Sequence, residues 1–181
     1  INNSNVVVGG SGYWPYIYQD GVMQLIDPSP LVSAIAYAIS ENGYVVGVSG
    51  GGFANGKAFR YKDGVLEVLP PLQGFPGSEA RDVNSAGMVV GVSRKYVSIS
   101  EGYLSLASVW TQGGSYELPP PAGYGKGAAI GINDEGVIIG AVAGVAGSGL
   151  AEKVVVWLSG VPYDINSLTL PGSPSIGGLL K

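Results

Sequence analysis

The feature that most constrains the fold of this chain is an eleven-residue pattern that occurs four times. In each copy an Asn or Ser opens a four-residue turn, and an apolar run that contains a Gly follows the turn. The four copies occupy residues 1–11, 39–49, 83–93 and 132–142. An internal repeat of this kind predicts that the chain folds as a tandem array of one supersecondary unit.

Each repeat is predicted to open with a short strand that ends in Ile or Val and leads into the turn. Three strands of this type lie at 36–39, 80–83 and 129–132. The last turn residue is predicted to have a positive φ, which Gly adopts without a clash and Asn tolerates better than most residues. The residues at this position are Asn5, Gly43, Gly87 and Gly136.

Three more strands are predicted in each repeat. The second strand contains a Gly, which indicates a bulge or the close approach of another backbone segment. These glycines are Gly9, Gly47, Gly91 and Gly140. The third strand ends on an aromatic residue, and the four aromatic residues are Tyr18, Tyr61, Trp110 and Trp157. A hairpin turn such as Asp63-Gly64 leads to the fourth strand, and a Pro-rich connector leads to the next repeat.

The two halves of the repeat differ in how much their length varies. From the third-strand aromatic residue to the strand Gly of the next repeat, the separations are 29, 30 and 30 residues. From the strand Gly to the aromatic residue of the same repeat, they are 9, 14, 19 and 17 residues. The loop between the second and third strands is therefore the variable part, and such loops often form a binding face.

Four-stranded units of this length predict an all-β fold, namely a β-propeller of four four-stranded repeats in one domain. The predicted repeats are 1–33 together with 175–181, then 34–79, 80–127 and 128–174. The first repeat lacks a first strand, so the C-terminal strand is expected to complete that blade and to close the ring. An open solenoid of hairpins is the alternative, and no helix is predicted.

Composition excludes several classes of protein. The chain has 181 residues, a net charge of −4 and only 12% charged residues, which argues against binding to nucleic acid. No apolar run is as long as the stretch of about 20 residues that a helix needs to span a bilayer. The chain has no Cys, and therefore no disulfide or thiolate chemistry. Because it begins at Ile1 rather than Met, it is expected to be a processed or excised segment.

The segment 36–69 carries a further signal. It combines Ala-x-x-Ile, Asn-Gly and Val-Val-Gly-x-Ser with the motif Ala58-Phe-Arg-Tyr-Lys-Asp-Gly64. This pattern resembles the HAF-type extracellular repeats of bacteria, and Asp164-Ile-Asn-Ser-Leu168 also resembles a segment that occurs late in such repeats. The resemblance covers nearly the whole chain. It implies a repeat fold and an extracellular or cell-surface location, and it transfers no catalytic residues.

The residue types limit the chemistry that the chain can perform. It has no His, so His-based triads and His metal sites are absent. The acidic residues Asp20, Asp63, Asp134 and Glu135 fall at predicted turns, where Asp commonly bonds the local backbone. The Gly-rich segments 9–12 and 50–52 lack the Lys-Ser/Thr and the helix of a phosphate-binding loop. No cofactor and no metal site is predicted.

Aromatic residues that do not recur at one repeat position are the candidate ligand contacts. They lie in the variable loops and the Pro-rich connectors, which a propeller places on one face of the disc. Aromatic rings among a few polar groups suit a glycan or a protein surface, although local packing of loop residues explains them equally well. The candidate site residues are Tyr13, Trp14, Tyr16, Phe53, Arg94, Lys95, Tyr96, Tyr103 and Tyr124.

The sequence therefore predicts a non-catalytic, exported module that binds a glycan or a protein through one loop face, or that serves as a structural surface module. Two alternatives stay open. One is a self-assembling extracellular filament whose subunits exchange the C-terminal strand. The other is a carboxylate-dependent glycan-active enzyme, which would need two carboxylates about 5–10 Å apart in a deep pocket.

The predicted role of the C-terminal strand can be tested by truncation. If residues 175–181 complete the first blade of their own chain, a chain that ends at residue 174 loses stability and aggregates, because the blade is left with an unpaired edge. Thermal unfolding and light scattering measure both effects. A truncated chain that stays a folded monomer, while the full chain forms fibres, would instead show strand exchange between subunits.

Overall fold

The structure is a computed structural model that describes residues 1–50, 55–145 and 147–168. The described part of the chain forms fifteen strands in four antiparallel sheets, which confirms the all-β prediction and the strand order within each repeat. The one helical segment described is a single 3-10 turn, Ile165–Leu168. None of the described helical structure is long and apolar enough to cross a membrane.

Sheets 1 and 2 come from the first 69 residues. Sheet 1 has three strands in the order β1-β2-β3, which are Val7–Ser11, Trp14–Gln19 and Val22–Leu25. Sheet 2 has four strands in the order β4-β5-β6-β7, which are Ala34–Ile39, Val45–Ser49, Ala58–Lys62 and Val65–Leu69. Strands that follow one another in sequence are neighbours in both sheets, as in a meander.

Sheets 3 and 4 repeat this arrangement. Sheet 3 contains β8 to β11, which are Gly77–Val83, Val89–Ser98, Gly102–Thr111 and Gly114–Glu117. Sheet 4 contains β12 to β15, which are Tyr124–Ile132, Ile138–Gly144, Lys153–Leu158 and Val161–Asp164. The first strands of sheets 2, 3 and 4 begin two to five residues earlier than the sequence pattern predicts.

The four repeat turns have the predicted backbone conformation. The residue at the last turn position has a positive φ in every copy: 60° at Asn5, 81° at Gly43, 78° at Gly87 and 79° at Gly136. The side chain of the Asn or Ser that opens the turn accepts a hydrogen bond from the backbone N–H of the first residue after the turn. In the third copy, Asn84 Oδ1 accepts from Met88 N at 3.0 Å. The side chain therefore closes the turn as the sequence predicts.

The repeat turns also hold neighbouring sheets together, and we call this set of turns (2–6, 40–44, 84–88 and 133–137) the turn ladder. An Asn side chain in each of the first three turns donates to a carbonyl of the next turn. The pairs are Asn2 with Ser40, Asn42 with Ser85 and Asn84 with Asn133, at 3.2, 2.8 and 3.3 Å. Asp134 also accepts two hydrogen bonds from Ser85, at 2.7 and 2.9 Å.

A Gly in the second strand allows close contact with a bulge in the first strand. The pairing of β8 with β9 skips Arg81, so the ladder shifts between Ala80 and Asp82. A Cβ on Gly91 would overlap the carbonyl oxygen of Glu79 just before this bulge. The same arrangement occurs in sheets 2 and 4, at Gly47 and Gly140. The predicted bulge and close approach are therefore both present in these three sheets.

The hydrophobic core lies between sheets and not within them. We call the face of a sheet that packs on the next sheet its forward face, and the opposite face its rear face. Val46, Ala58 and Leu69 on the forward face of sheet 2 pack against Val89 and Trp110 on the rear face of sheet 3. Trp110 is 1% exposed, so this packing stabilises the fold largely through buried apolar surface.

Sheets 3 and 4 pack in the same way. Val90 and Ala107 on the forward face of sheet 3 lie against Ile138 and Trp157 on the rear face of sheet 4. The indole N–H of Trp157 donates to the carbonyl of Pro119 at 2.8 Å, and that of Trp110 donates to Pro70 at 2.6 Å. The predicted packing role of the recurring aromatic residue is therefore confirmed for both Trp residues.

The sheets follow one another in chain order, each packed on the next. Within the described ranges, the strands of sheet 4 have no extensive packing against those of sheet 1. The C-terminal strand predicted at 175–181 lies outside the described residues. Its pairing with the first blade accordingly stays a prediction.

The close approach at the strand Gly gives a test of the repeat architecture. We expect Gly91→Ala to lower the free energy of unfolding by about 2–3 kcal/mol, because the new Cβ has to displace the Glu79 backbone. Gly127→Ala is the matched control, since the nearest atom to its Cβ would be a Val142 methyl group at 3.2 Å, and the nearest backbone atom, the Ala141 carbonyl oxygen, would lie at an ordinary contact distance of 3.4 Å. Chemical denaturation of both variants measures the difference, and equal losses would contradict this account.

Candidate functional site

The variable loops and the Pro-rich connectors meet at one edge of the sheets, which we call the loop edge. The amide of Ala34, after the first connector, donates to the carbonyl of Tyr13 at 3.0 Å. Lys57 Nζ, after the second variable loop, donates to the carbonyl of Pro76 in the second connector at 2.5 Å. The turn ladder lies at the other end of the same strands. The predicted placement of the two connection types on one side is therefore correct.

The longest hairpin of the described chain projects at the loop edge. Its strands, β9 and β10, have ten residues each, whereas the strands of the other hairpins at this edge have five to seven. Tyr96 and Tyr103 face each other across it, with ring centroids 5.5 Å apart and an interplanar angle of 69°. Tyr96 is 51% exposed and Tyr103 41%. Ile99 at the tip is 97% exposed, so the hairpin presents an apolar, aromatic end to solvent.

The hairpin carries basic residues below its aromatic pair. Lys95 Nζ lies 4.9 Å from the centroid of the Phe75 ring in the connector, at cation–π distance. Arg94 lies on the opposite face of β9 and is buried, with 7% of its surface exposed. Its guanidinium binds the Glu79 carboxylate at 2.5 Å. Lys95 thus braces the hairpin against the connector, and Arg94 anchors its base.

A cleft with charged walls lies at the base of the hairpin. It has a volume of about 280 Å³, and Tyr37, Glu79 and Arg94 line it. Arg81 binds the second oxygen of Glu79 at 3.0 Å, so one carboxylate is shared by two guanidinium groups. A second cleft of about 340 Å³ is lined by both Arg residues and by Lys126 and Glu152. These five charged groups sum to +1 in a chain whose net charge is −4.

The ionisation of the cleft follows from its charges. Burial opposes the ionised form of Glu79, but the hydrogen bonds and charges of Arg94 and Arg81 outweigh it and lower the pKa of this carboxyl below 4.5. Burial and the negative charge of Glu79 raise the pKa of Tyr37 above 10.0. At neutral pH the cleft therefore holds an ionised carboxylate and a neutral phenol.

The predicted site residues do not form one surface. Arg94, Lys95, Tyr96 and Tyr103 belong to the β9–β10 hairpin. Tyr13 and Trp14 are 72% and 43% exposed, but they lie on sheet 1, two sheets away in the array. Tyr16 packs over Gly9 in its own sheet, and Tyr124 packs against the core between sheets 3 and 4. Phe53 lies outside the described residues.

Tyr37 and Glu79 of the first cleft and Arg81 of the second are not among the residues that the sequence predicted for the site. Tyr37 and Arg81 are the residues that the bulges of β4 and β8 leave without a partner in the strand register, and Ile130 has the same position in β12. A bulge re-aims the side chain of its extra residue, which is common near functional sites. The repeat pattern contained a signal for these positions, because the strand Gly of sheets 2, 3 and 4 lies opposite the bulge.

Two carboxyl groups of the described residues have a clearly shifted pKa, and in both the pKa is lowered. A glycosidase acid needs a raised pKa, whereas the two arginines lower that of Glu79. The Lys153 ammonium likewise lowers the pKa of Asp164, which it contacts at 2.7 Å. Within the described ranges, no cluster of three or more acidic residues could hold a metal ion. Asp134 and the hairpin residues Asp20 and Asp63 act in turns, as predicted.

In comparisons with known proteins, no family model, no curated protein and no solved structure matches this chain. The resemblance to HAF-type repeats stays a prediction.

The Glu79 ion pairs give a test based on pH. We expect Glu79→Gln to lower the free energy of unfolding by about 2 kcal/mol at pH 7, because buried Arg94 loses its charged partner. Since the pKa of Glu79 is lowered in the folded state, its stabilisation is complete well above 4.5 and disappears as the pH falls below that value. Denaturation of the wild type and the variant at several pH values measures whether their free energies of unfolding become equal as the pH falls.

Glu67→Gln is the control for this test, because Glu67 pairs with Arg60 while half of its side chain is exposed. We expect a loss below about 1 kcal/mol there. A Glu79→Gln loss that stayed constant from neutral to acidic pH would show that the carboxylate charge contributes nothing.

Proposed function

We propose that this domain is a non-catalytic binding module that recognises a glycan or a protein surface through its loop edge. The observation that carries the proposal is the β9–β10 hairpin, which extends beyond the other hairpins and exposes Tyr96 and Tyr103. The tip also exposes Ile99 and Val97. No packing within the described sheets requires these apolar side chains at the end of the longest hairpin.

The tyrosine pair suits recognition on physical grounds. Each ring offers a large, rigid apolar face with a polar hydroxyl, and it loses little conformational entropy when a partner covers it. Strand β9 of the hairpin is anchored at two points, since Arg94 is tied to Glu79 and Lys95 lies over Phe75. The rings are therefore held in place before a ligand arrives, which lowers the entropic cost of binding.

Binding explains the charged cleft better than catalysis does. The cleft is small, and its carboxylate is shared by two guanidinium groups and has a lowered pKa. Such a carboxylate is a weak proton donor but a strong anchor for the base of the hairpin. These ion pairs therefore hold the base of the hairpin in place, beneath the exposed residues that we propose for recognition.

We further propose that the four sheets are the blades of a propeller-like array and that the domain works outside a bacterial cell. The repeated packing of forward face on rear face supports the first proposal, since blades of a propeller pack in this way. The resemblance of the motifs at 36–69 to HAF-type repeats supports the second.

A comparison of two tyrosine variants tests the binding function. We expect Tyr96→Ala to weaken binding about tenfold or more, because an aromatic anchor at the centre of a contact surface contributes strongly to affinity. The melting temperature stays nearly unchanged, since the ring is 51% exposed. A glycan array and a pull-down with immobilised domain identify the ligand, and titration calorimetry then measures the affinity.

Tyr116→Ala is the matched control. Tyr116 is also 51% exposed, but it lies beside the β10–β11 hairpin turn, at the edge that carries the turn ladder. We expect wild-type affinity from this variant. Equal affinity of the Tyr96→Ala and wild-type domains for every ligand found would refute the hairpin as the binding surface.

A further inference from the structure

Within the described residues, no other sheet packs extensively on the two outer faces of the array, although these faces carry the repeat positions that are covered at the internal interfaces. The forward face of each of the first three sheets packs on the rear face of the next. Among the four described sheets, the rear face of sheet 1 and the forward face of sheet 4 are therefore the two faces left without a covering sheet. Equivalent residues show directly how these outer faces differ from the covered ones.

The rear face of sheet 1 is apolar and exposed. Tyr18 occupies the repeat position of Trp110 and Trp157, which are 1% and 0% exposed, yet Tyr18 is 41% exposed. Met23 lies directly opposite Tyr18 in the sheet and is 54% exposed, and Leu25 on the same face is 52% exposed. The other face of sheet 1 is the one that packs on sheet 2, through Val8 and Ile17.

The forward face of sheet 4 shows the same contrast. Ile139 is equivalent to Val46 and Val90, which are both fully buried, yet Ile139 is 42% exposed. Val154 is equivalent to Ala58 and Ala107, which are 0% and 2% exposed, and it is also 42% exposed. The face continues across β14 and β15 through three further exposed apolar residues, which are Leu158, Val161 and Tyr163.

We propose that a second copy of this chain covers these faces, with the forward face of sheet 4 of one copy packed on the rear face of sheet 1 of the next. The internal interfaces indicate that the partner is a second copy, because each covered rear face packs against a forward face of the same repeat type. The strand residues named on both outer faces are uncharged, so pairing them requires no burial of an unpaired charge.

The interface is heterologous, since each copy contributes a different face to it. It closes into a ring if the rotation between neighbouring copies allows closure, and otherwise it continues as a filament. It needs no exchange of strands, because whole faces pack as they do within the chain. It also leaves the loop edge open, so assembly would present several copies of the β9–β10 hairpin together.

Sedimentation of variants blocked at one end tests the proposal. Met23→Arg with Leu25→Arg blocks the sheet 1 face, and Val161→Arg with Tyr163→Arg blocks the sheet 4 face. All four residues are more than a third exposed, so both variants are expected to fold, and circular dichroism checks this. We expect the wild type to associate over a micromolar to submillimolar dilution series, and each blocked variant alone to stay monomeric.

Mixing the two blocked variants separates this interface from others. Each variant keeps one intact face, and these two faces are complementary, so the equimolar mixture forms one-to-one dimers and no larger species. Val65→Arg with Val32→Arg is the matched control, because it changes two exposed aliphatic residues away from both faces and adds the same charge. It is expected to associate like the wild type.

Three results would overturn the proposal. A wild-type chain that is monomeric throughout the series would show that a second copy does not cover these faces. Dimers of either blocked variant alone would indicate contact between like faces. A mixture that stays monomeric while the wild type associates would place the interface elsewhere on the molecule.

Discussion

The close approach of the second strand to the bulged first strand is the constraint on which the rest of this structure depends. In sheets 2, 3 and 4 a Gly allows the two backbones to come within a distance that any side chain would prevent. The bulge that this contact accommodates shifts the register and turns one residue of the first strand out of the pairing pattern. That shift places Arg81 against Glu79, and so builds the charged base of the candidate site.

Most of the fold could be predicted because the repeat shows each local rule several times. A single Gly in a strand is an ambiguous signal, but Gly47, Gly91 and Gly140 at one repeat position indicate a structural requirement. The same holds for the turns, in which four residues adopt the expected positive φ. The predicted closure of a ring has no such repeated support in the sequence, because it depends on contacts between the ends and each end occurs only once.

The candidate site was predicted less well, because its residues do not repeat. Tyr96 and Tyr103 were identified as loop aromatics, but their pairing depends on the register of a hairpin whose strands extend to ten residues. Arg94 is one of the predicted ligand contacts, but its ion pair with the carboxylate of Glu79 allows it to be buried. A charged residue that is buried only because of a partner distant in sequence cannot be located from local pattern alone.

The turn ladder has a consequence for how such a chain can change during evolution. Its side-chain hydrogen bonds, from Asn2 to Asp134, join one sheet to the next. They lie at the opposite end of the strands from the variable loops. An insertion between Ser98 and Gly102 therefore lengthens one hairpin without altering the spacing of neighbouring sheets. Mutations can accumulate at the loop edge while the turn ladder preserves the packing of the sheets. New binding specificities can therefore arise on an unchanged scaffold.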